Sequence, residues 1–274
     1  MTKLLGVIGD PIAHSLSPII HNGWYRDLGI GATYEAMQVA DGELPDALST
    51  LAQKGAVGVN ITLPHKLAAR EISASSSETV ERIGAANTLT CKQDGSWHAD
   101  NTDVPGFTTA LIQLLNGQKL SGLKAILLGA GGSARAVIHA LGLASVDVIC
   151  LNRTESKALD LVHEFGSTNS VAGSIYQYTD YADSADVVIN TTSAGYSADP
   201  LNPGPGNGRL FYDISYGQAA NRQLQVASAN GWKRADGISM LVAQAAESFE
   251  IWFGIRPDIE KAELRCRNAL KAIV

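Results

Sequence analysis

The segment "VGVNITLPHK", from Val57 to Lys66, carries an amide, a hydroxyl and an amine in short succession. Apolar side chains occupy every second position of its first part, which predicts a half-buried β-strand. Pro64 cannot continue a central strand, so Thr62 and Lys66 are expected at or beyond the carboxyl end of that strand. Together with Asn60, they predict either a polar site at a strand end or a loop with a solvated lysine.

Polar residues also cluster at three other places in the first half. Ser15 and Ser17 follow the first predicted strand, Asn87 lies in "AANTL", and Asp103 closes "DNTD". Each group follows or lies within a predicted strand, where open α/β sheets usually build their sites. Ser17 before a proline is also typical of a helix N-cap, and Asp103 stands at a predicted helix start, so structural roles stay open for both.

The second half contains a dinucleotide-binding signal. A predicted strand, "KAILLG", runs into a tight turn and an apolar helix, with the turn reading Gly129, Ala130, Gly131, Gly132, Ser133, Ala134. This is G-x-G-x-x-A in the strand–turn–helix context that the fingerprint requires. The first glycine permits the turn, the second lets the backbone approach a pyrophosphate, and the small sixth residue lets the helix pack on the strand. An ordinary glycine-rich turn is the alternative.

The end of the next predicted strand bears on the choice of cofactor. An NAD-binding domain would place a carboxylate there, whereas this chain has Asn152, Arg153 and Thr154, with Lys157 one helical turn after Arg153. A guanidinium pairs with a 2′-phosphate that a carboxylate would repel. The segment therefore favours NADP, although Arg153 and Lys157 could also be ordinary residues of an exposed helix start.

Lys66 and Asp103 have the chemistry that a partner surface for such a cofactor needs. Hydride arriving at a ketone leaves charge on the oxygen, which a positioned cation can stabilise and protonate. A neighbouring carboxylate keeps the lysine charged and oriented. In the oxidative direction the deprotonated amine accepts the hydroxyl proton. The sequence leaves open which of the two residues formally transfers the proton, because close titrating groups share their pKa values.

The elements that position these residues form two α/β blocks. The first hundred residues alternate predicted strands and helices, which favours a mainly parallel sheet, and end in a predicted hairpin around Gln93–Ser96. A second strand–helix series starts after Asp103, and two long helical patterns follow Ile238. We predict an α/β substrate domain at 1–103, a Rossmann-type NADP domain at 104–237, and C-terminal helices at 238–274 that cap the second domain or return to the first.

Composition excludes several classes of protein. The 274 residues carry a net charge of −6 without a basic stripe, which argues against nucleic-acid binding. No apolar run approaches the roughly 20 residues of a membrane span, and the N-terminus lacks the pattern of a signal peptide. Three scattered cysteines indicate neither disulfides nor a zinc site, and His14, His21, His65 and His98 show no metal-ligand spacing. We expect a cytoplasmic, reducing compartment.

The motifs taken together resemble the shikimate dehydrogenase family. "GDPIAHSLSP", "NITLPHK", "GAANTL", "DNTD", "GAGGSAR", "NRT" and "MLVAQAA" match its signature segments in order along nearly the whole chain. The resemblance implies NADPH-linked, reversible reduction of 3-dehydroshikimate to shikimate, in the pathway to aromatic amino acids. It also implies a small-molecule substrate, a monomer or homodimer, and tail helices that return to the substrate domain.

The same resemblance implies roles for individual residues. Ser15 and Ser17 would hold the substrate carboxylate, and Lys66 and Asp103 would flank the reacting oxygen. The ring hydroxyls and other polar edges would be bound by Asn60, Thr62, Asn87 and Gln244, with a further contact from Tyr216. A structural alternative for Gln244 is a hydrogen bond between helices.

Three positions depart from the family pattern, and three rival functions remain. His65 stands where many members have an aromatic residue, Lys157 replaces a frequent arginine, and "DISYG" is a looser form of the usual segment. The rivals are an NAD-dependent quinate/shikimate dehydrogenase, a folate dehydrogenase of related architecture, and a non-enzymatic dinucleotide-sensing regulator. The first would carry an acidic residue at Asn152–Arg153, the second lacks the paired serines, and the third has no use for Lys66 and Asp103.

Overall fold

The computed structural model describes residues 2–192 and 199–272. The chain divides into two compact units, whose boundaries fall between Gly106 and Phe107 and between Met240 and Leu241. The first unit combines the N-terminal part with the segment that begins at Leu241, and the second contains the residues between. The predicted strand pattern that ends at Gly195 extends in part beyond the described residues.

The first unit is built on a six-stranded mixed sheet with the order β2-β1-β3-β5-β6-β4. Its strands are β1 Lys3–Gly9, β2 Ala32–Gln38, β3 Ala56–Ile61, β4 Ser75–Ser76, β5 Thr88–Cys91 and β6 Trp97–Asp100. Its first four helices are α1 Ser17–Leu28, α2 Leu44–Gln53, α3 Lys66–Ile72 and α4 Glu78–Ile83. Strands β2, β1 and β3 are parallel as predicted, whereas β3, β5 and β6 pair antiparallel through the predicted hairpin.

The second unit has a six-stranded sheet in which every strand pair is parallel, with the order β12-β11-β10-β7-β8-β9. Its strands are β7 Lys124–Leu128, β8 Asp147–Asn152, β9 Val171–Ser174, β10 Val187–Asn190, β11 Leu210–Asp213 and β12 Lys233–Ala235. Its helices are α5 Asp103–Leu114, which starts in the first unit, α6 Gly132–Leu143, α7 Glu155–Phe165, α8 Tyr178–Tyr181 and α9 Gln218–Ala229. Counted from β7, this is the doubly wound Rossmann order, which confirms the predicted fold class.

The two C-terminal helices, α10 Ile238–Phe253 and α11 Ile259–Ala272, pack largely on the first unit. The indole of Trp24 on α1 donates a hydrogen bond to the carbonyl of Asp258, 2.8 Å away. On the same helix, Asp27 pairs with Lys261 at 3.0 Å and Arg265 at 2.5 Å. Of the two placements left open by the sequence, the return to the first domain is therefore the one observed.

Each sheet packs against its helices through an apolar core of its own. In the first unit, alternating residues of β1 and β3, such as Ile8 and Val59, pack against Leu48 of α2. In the second unit, Ile126 and Phe211 lie in a core closed by α8 and α9. None of the described helices has the length and apolar composition needed to cross a bilayer.

Candidate active site

Lys66 and Asp103 form a buried ion pair. Lys66 is the first residue of α3 and Asp103 the first residue of α5, and the lysine Nζ lies 2.6 Å from Oδ2 of the carboxylate. Their side chains are only 10% and 8% exposed. The interpretation of Lys66 as a solvated loop residue is therefore wrong. A buried charge pair needs further hydrogen bonds to offset the loss of hydration, and the carboxylate has one.

That further bond comes from Asn87, whose Nδ2 donates to Asp103 Oδ1 at 2.9 Å. Asp103 does open a helix, but its side chain does not cap it. The side-chain oxygen of Asn101 accepts the backbone N–H groups of Asp103 and Val104 at 3.0 and 3.3 Å. Because Asn101 takes the capping role, both oxygens of the Asp103 carboxylate remain for Lys66 and Asn87.

The loop before α3 is fixed by His65, whose ring is 1% exposed. The ring nitrogen Nε2 lies 2.8 Å from the carbonyl oxygen of Val39. Because a carbonyl only accepts, this nitrogen carries a proton in the bond. His65, where many family members have an aromatic residue, is thus a buried imidazole that hydrogen-bonds to a backbone carbonyl, one residue before Lys66.

Asn87, Thr102 and Gln244 lie together beside the ion pair. The backbone N–H of Thr102 donates to Asn87 Oδ1 at 2.7 Å, and the Oε1 atom of Gln244 lies 3.4 Å from Asn87 Nδ2. The Nε2 atom of Gln244 donates to Leu241 O in its own helix, at 2.8 Å. Gln244 therefore reaches the side chains predicted to bind substrate, rather than forming only a bond between helices.

Asn60 uses both ends of its amide in bonds to the protein. Its Oδ1 accepts the hydroxyl of Tyr34 at 2.6 Å. Its Nδ2 lies within 3.1 Å of Asn87 O and of the hydroxyls of Thr88 and Ser248. Since Asn60 and Thr88 are directly opposed on β3 and β5, the antiparallel pairing brings them together. Its predicted contact with substrate stays a prediction, for which one lone pair of Oδ1 remains.

Ser15, Ser17 and Thr62 lie at the same edge of the first sheet. Ile8 pairs with Ile61 at the ends of β1 and β3, and Asp10 N donates to Leu63 O across the loops that follow, at 2.9 Å. Ser17 is not the N-cap of α1, because Leu16 holds that position without a side-chain cap. Instead, the N–H of Ser17 donates to Ser15 Oγ at 3.3 Å.

The glycine turn of the second unit has the geometry that a pyrophosphate site requires. Gly129 has a φ of +106°, which side-chain-bearing residues rarely adopt. A Cβ built on Gly131 would meet no described atom within 4 Å, and no side chain caps the N-terminus of α6 there. Ala134, in the first turn of α6, is fully buried. Ala130, Gly132 and Ser133 complete the turn, which leaves backbone N–H groups free for an anion.

The residues predicted to bind a 2′-phosphate lie at the end of β8 and the start of α7. Gly129 N donates to Leu151 O at 2.9 Å, so the turn adjoins the end of β8. Asn152 Nδ2 donates to Thr154 O at 2.9 Å, which shapes the start of α7. The Arg153 and Lys157 side chains are exposed and have no ion-pair partner among the described residues.

Tyr216 belongs to the second unit, where it is half-buried after β11. The strand end before it is held by Asp213, whose Oδ2 accepts Asn190 Nδ2 at 2.8 Å and whose Oδ1 accepts Ser215 N at 2.9 Å. Burial raises the pKa of the Asp213 carboxyl. Asp213 and Asn190 end neighbouring strands, which explains the fixed start of the "DISYG" segment.

The sequence interpretation missed five residues that support the site: Tyr34, Thr88, Asn101, Thr102 and Ser248. Asn101 had a visible signal, because an Asx residue just before a helix start is a common cap. Ser248 follows Gln244 by four positions in α10, which places both on one face of the helix. Thr88 and Tyr34 had no visible signal in the sequence, because their contacts with Asn60 depend on how the strands pair. In the described residues, no group of three His, Cys, Asp or Glu side chains could hold a metal ion.

Comparison with known families accounts for most of the chain. Residues 7–89 match the model of the shikimate dehydrogenase substrate binding domain. Residues 112–198 match that of shikimate / quinate 5-dehydrogenase. Residues 237–263 match that of the shikimate 5′-dehydrogenase C-terminal domain. The matches follow one another without overlap, as the domains of one enzyme family would.

Individual relatives agree with these matches. A shikimate dehydrogenase (NADP(+)) of Hyphomonas neptunium is 47% identical over 272 residues, covering 99% of each chain. The crystal structure of shikimate dehydrogenase from Aquifex aeolicus is 32% identical, with a TM-score of 0.88 over 97% of this chain and 98% of that one. The Thermus thermophilus shikimate 5-dehydrogenase in complex with NADP(H) and shikimate is 36% identical, with a TM-score of 0.83 over 98% and 100%.

Proposed function

The chain belongs to the shikimate dehydrogenase family, and from that membership we propose that it catalyses the reversible, NADP-dependent reduction of 3-dehydroshikimate to shikimate. The observation that carries the proposal is the buried Lys66–Asp103 pair, with 2.6 Å between Nζ and Oδ2. A buried ion pair at the amino ends of two helices is costly to maintain. Proton transfer to and from a substrate oxygen gives it a use.

The pair acts as the acid and base of the reaction. NADPH, when bound, supplies the hydride. The ammonium of Lys66 stabilises the charge that develops on the ketone oxygen and provides its proton. Asp103 fixes the position of the Lys66 ammonium, and Asn87 holds the second oxygen of Asp103. In the oxidative direction the pair accepts the hydroxyl proton of shikimate.

The remaining polar residues of the first unit orient the substrate. Ser15 and Ser17 bind its carboxylate, and Thr62 lies at the same sheet edge. Asn87, which bonds Asp103, and Gln244, which lies against Asn87, bind the ring hydroxyls, together with Asn60. Tyr216 contributes a further contact. These assignments rest on the family resemblance and, for Asn87 and Gln244, on the hydrogen bonds that connect them to Asp103.

The residues of the second unit fit the cofactor. The open space at Gly131 and the uncapped N-terminus of α6 provide a cradle for a pyrophosphate. Arg153, supported by Lys157 and next to Asn152 and Thr154, provides positive charge where a 2′-phosphate is recognised in this fold. The domains proposed from the sequence, a substrate domain at 1–103, an NADP domain at 104–237 and C-terminal helices at 238–274, follow this assignment.

A direct assay tests the proposal. Purified protein is supplied with shikimate or quinate and with NADP or NAD, and formation of reduced nicotinamide is followed by absorbance. We expect the highest kcat/KM with shikimate and NADP. Preference for quinate and NAD would identify the rival dehydrogenase, and absence of turnover in all four pairings would refute the enzymatic function. A cytoplasmic location and a monomeric or homodimeric state complete the proposal.

A further inference from the structure

Ser248 is a fully buried serine in the middle of α10, at 0% exposure. Its Oγ lies 2.8 Å from Thr88 Oγ1, 2.9 Å from Asn60 Nδ2 and 3.1 Å from Thr102 Oγ1. It also donates to Gln244 O in the preceding turn at 3.1 Å. A helical serine that bonded only the carbonyl of the preceding turn would need no other polar groups around it. The Ser248 hydroxyl instead lies where β3, β5 and the segment before α5 meet.

A stripe of three residues sets the position of α10 on the first unit: Gln244, Ser248 and Trp252, spaced four apart on one face. At one end, a Cβ on Gly106 would lie 2.6 Å from Cβ and 2.7 Å from N of Gln244. At the other end, the Trp252 indole occupies the space that a side chain on Gly58 would need. The absence of side chains at Gly106 and Gly58 therefore allows α10 to approach the first unit closely. Ser248, which lies between Gln244 and Trp252 on the helix, makes the polar contacts of this face.

The contacts of Ser248 lead to the ion pair in two steps. Thr102, through its backbone N–H, bonds Asn87 Oδ1 at 2.7 Å, and Thr88 Oγ1 lies 3.1 Å from the same atom. With its oxygen held on that side, the Asn87 amide can present its Nδ2 to Asp103 only in one orientation. A flipped amide would face the carboxylate with its own oxygen, which would repel the charge.

We propose that Ser248 is a positioning residue: its hydroxyl contacts hold the amide of Asn87, and Asn87 in turn holds the carboxylate of Asp103. The inference rests on the proposed function, because it concerns the alignment of the same acid–base pair. Ser248 itself touches neither Lys66 nor Asp103 in the described contacts, so it acts only through its neighbours. The proposal gives α10 a role in catalysis in addition to packing.

The test is a double-mutant cycle between Ser248→Ala and Asp103→Asn, with kcat measured at saturating shikimate and NADP. Losing a buried hydrogen-bond contact of this kind should lower kcat by about 5- to 30-fold in the wild-type background. The KM for NADP should stay within about twofold, because the contacts of Ser248 lie within the first unit. In the Asp103→Asn background the same substitution should cost less than about twofold.

Thermal stability separates positioning from a structural role. Ser248→Ala should lower the melting temperature by the same amount in both backgrounds, whereas its effect on kcat should vanish in one of them. The matched control is Ser73→Ala, because Ser73 Oγ also donates to the carbonyl four residues earlier, Ala69 O, at 2.7 Å. It should leave kcat unchanged. Ser248→Cys, which keeps the shape but bonds weakly, should fall between serine and alanine.

Two results would overturn the inference. One is an undiminished kcat cost of Ser248→Ala in the Asp103→Asn background, which would show that Ser248 acts on the fold or on another group. The other is an unchanged kcat in the wild-type background. Neither would affect the proposed function, which is judged separately by the turnover of the wild-type chain with shikimate or quinate and with NADP or NAD.

Discussion

The two units build their candidate sites from different material. In the first, buried side chains bond one another, from the Lys66–Asp103 pair through Asn87 to Ser248. In the second, the site consists of a glycine turn, an uncapped helix end and the exposed residues Arg153 and Lys157. Fixed, partnered groups suit the stabilisation of charge that develops in a reaction. Open backbone and exposed cations suit the capture of a large anionic ligand.

This difference predicts how substitutions divide. Changes in the first unit should act on kcat, because they disturb the groups that are proposed to face the reacting oxygen. Changes in the second unit should act on cofactor binding, because its charges and N–H groups are proposed to contact the cofactor. A substitution in the first unit that changed only cofactor binding, or one in the second unit that changed only kcat, would argue against this division.

Lys66→Met should have the largest effect. The substitution keeps most of the apolar stem and removes the ammonium, so kcat should fall roughly 10²- to 10⁴-fold, the usual contribution of an acid–base group. The KM for NADP should change little. Steady-state kinetics checks both, with Lys54→Met, an exposed lysine after α2, as the control. A raised KM for NADP with an unchanged kcat would contradict the division.

The two glycines of the turn should respond differently to alanine. At Gly129, with φ at +106°, a Cβ would lie 2.7 Å from Thr191 Oγ1, so Gly129→Ala should cost about 1–3 kcal/mol of stability as well as NADP affinity. Gly131→Ala meets no described atom and should raise the KM for NADP about tenfold or more at an unchanged melting temperature. Calorimetry and NADP titration separate the outcomes, and a destabilised Gly131→Ala would show that the turn is not open.

Arg153→Ala should change the choice of cofactor. Loss of charge-assisted hydrogen bonds to a 2′-phosphate should raise the KM for NADP about 10- to 100-fold, while the KM for NAD should move less than about threefold. Lys157→Ala should act in the same direction and more weakly. Arg234→Ala, an exposed arginine on β12, is the control. Equal losses with both cofactors would refute the 2′-phosphate assignment.

The smallest expected effect is on stability rather than on kinetics, and it concerns the buried side chain of His21. Buried His21 stacks on Tyr34 with ring centroids 4.1 Å apart, and neither ring nitrogen has a partner among the described residues. Burial lowers the pKa of His21 from 6.5 to about 3. Below pH 6.5 the unfolded chain therefore binds a proton that the folded chain refuses, and stability falls as the pH drops toward 3.

At pH 5 this histidine should account for about 2 kcal/mol of lost unfolding free energy relative to neutral pH. His21→Phe removes the titrating group, so its stability should decline less steeply between pH 6.5 and about 4. Urea titrations across that range measure both slopes. Parallel slopes for the two proteins would show that the imidazole becomes charged within the fold.

The contrast between the units also explains what the sequence could predict. The glycine turn was recognisable because its chemistry depends on residues that are adjacent in the chain, and Arg153 follows the next strand directly. Lys66, Asn87 and Asp103 could be named one by one, and the resemblance grouped them. The cluster around Ser248 could not be predicted, because β3 and β5 pair antiparallel and α10 returns from the far end of the chain. Such contacts depend on tertiary packing alone.

Local structure was misjudged where two explanations fitted the same residues. Ser17 before a proline suggested a cap, yet the helix takes Leu16 as its N-cap and begins at Ser17. Asp103 at a helix start suggested the same, yet Asn101 binds the N–H groups. In both cases a neighbour occupies the capping position and leaves the predicted site residue free for another contact.

The central claim is that Lys66 and Asp103 work as one proton-transfer unit. Turnover of the double variant Lys66→Met/Asp103→Asn, compared with each single variant, tests it most directly. Because residues that act as a unit are strongly non-additive, the double variant should lose about as much kcat as the more damaging single one. A loss equal to the product of the two single losses would mean that each residue acts on its own, and would contradict the account.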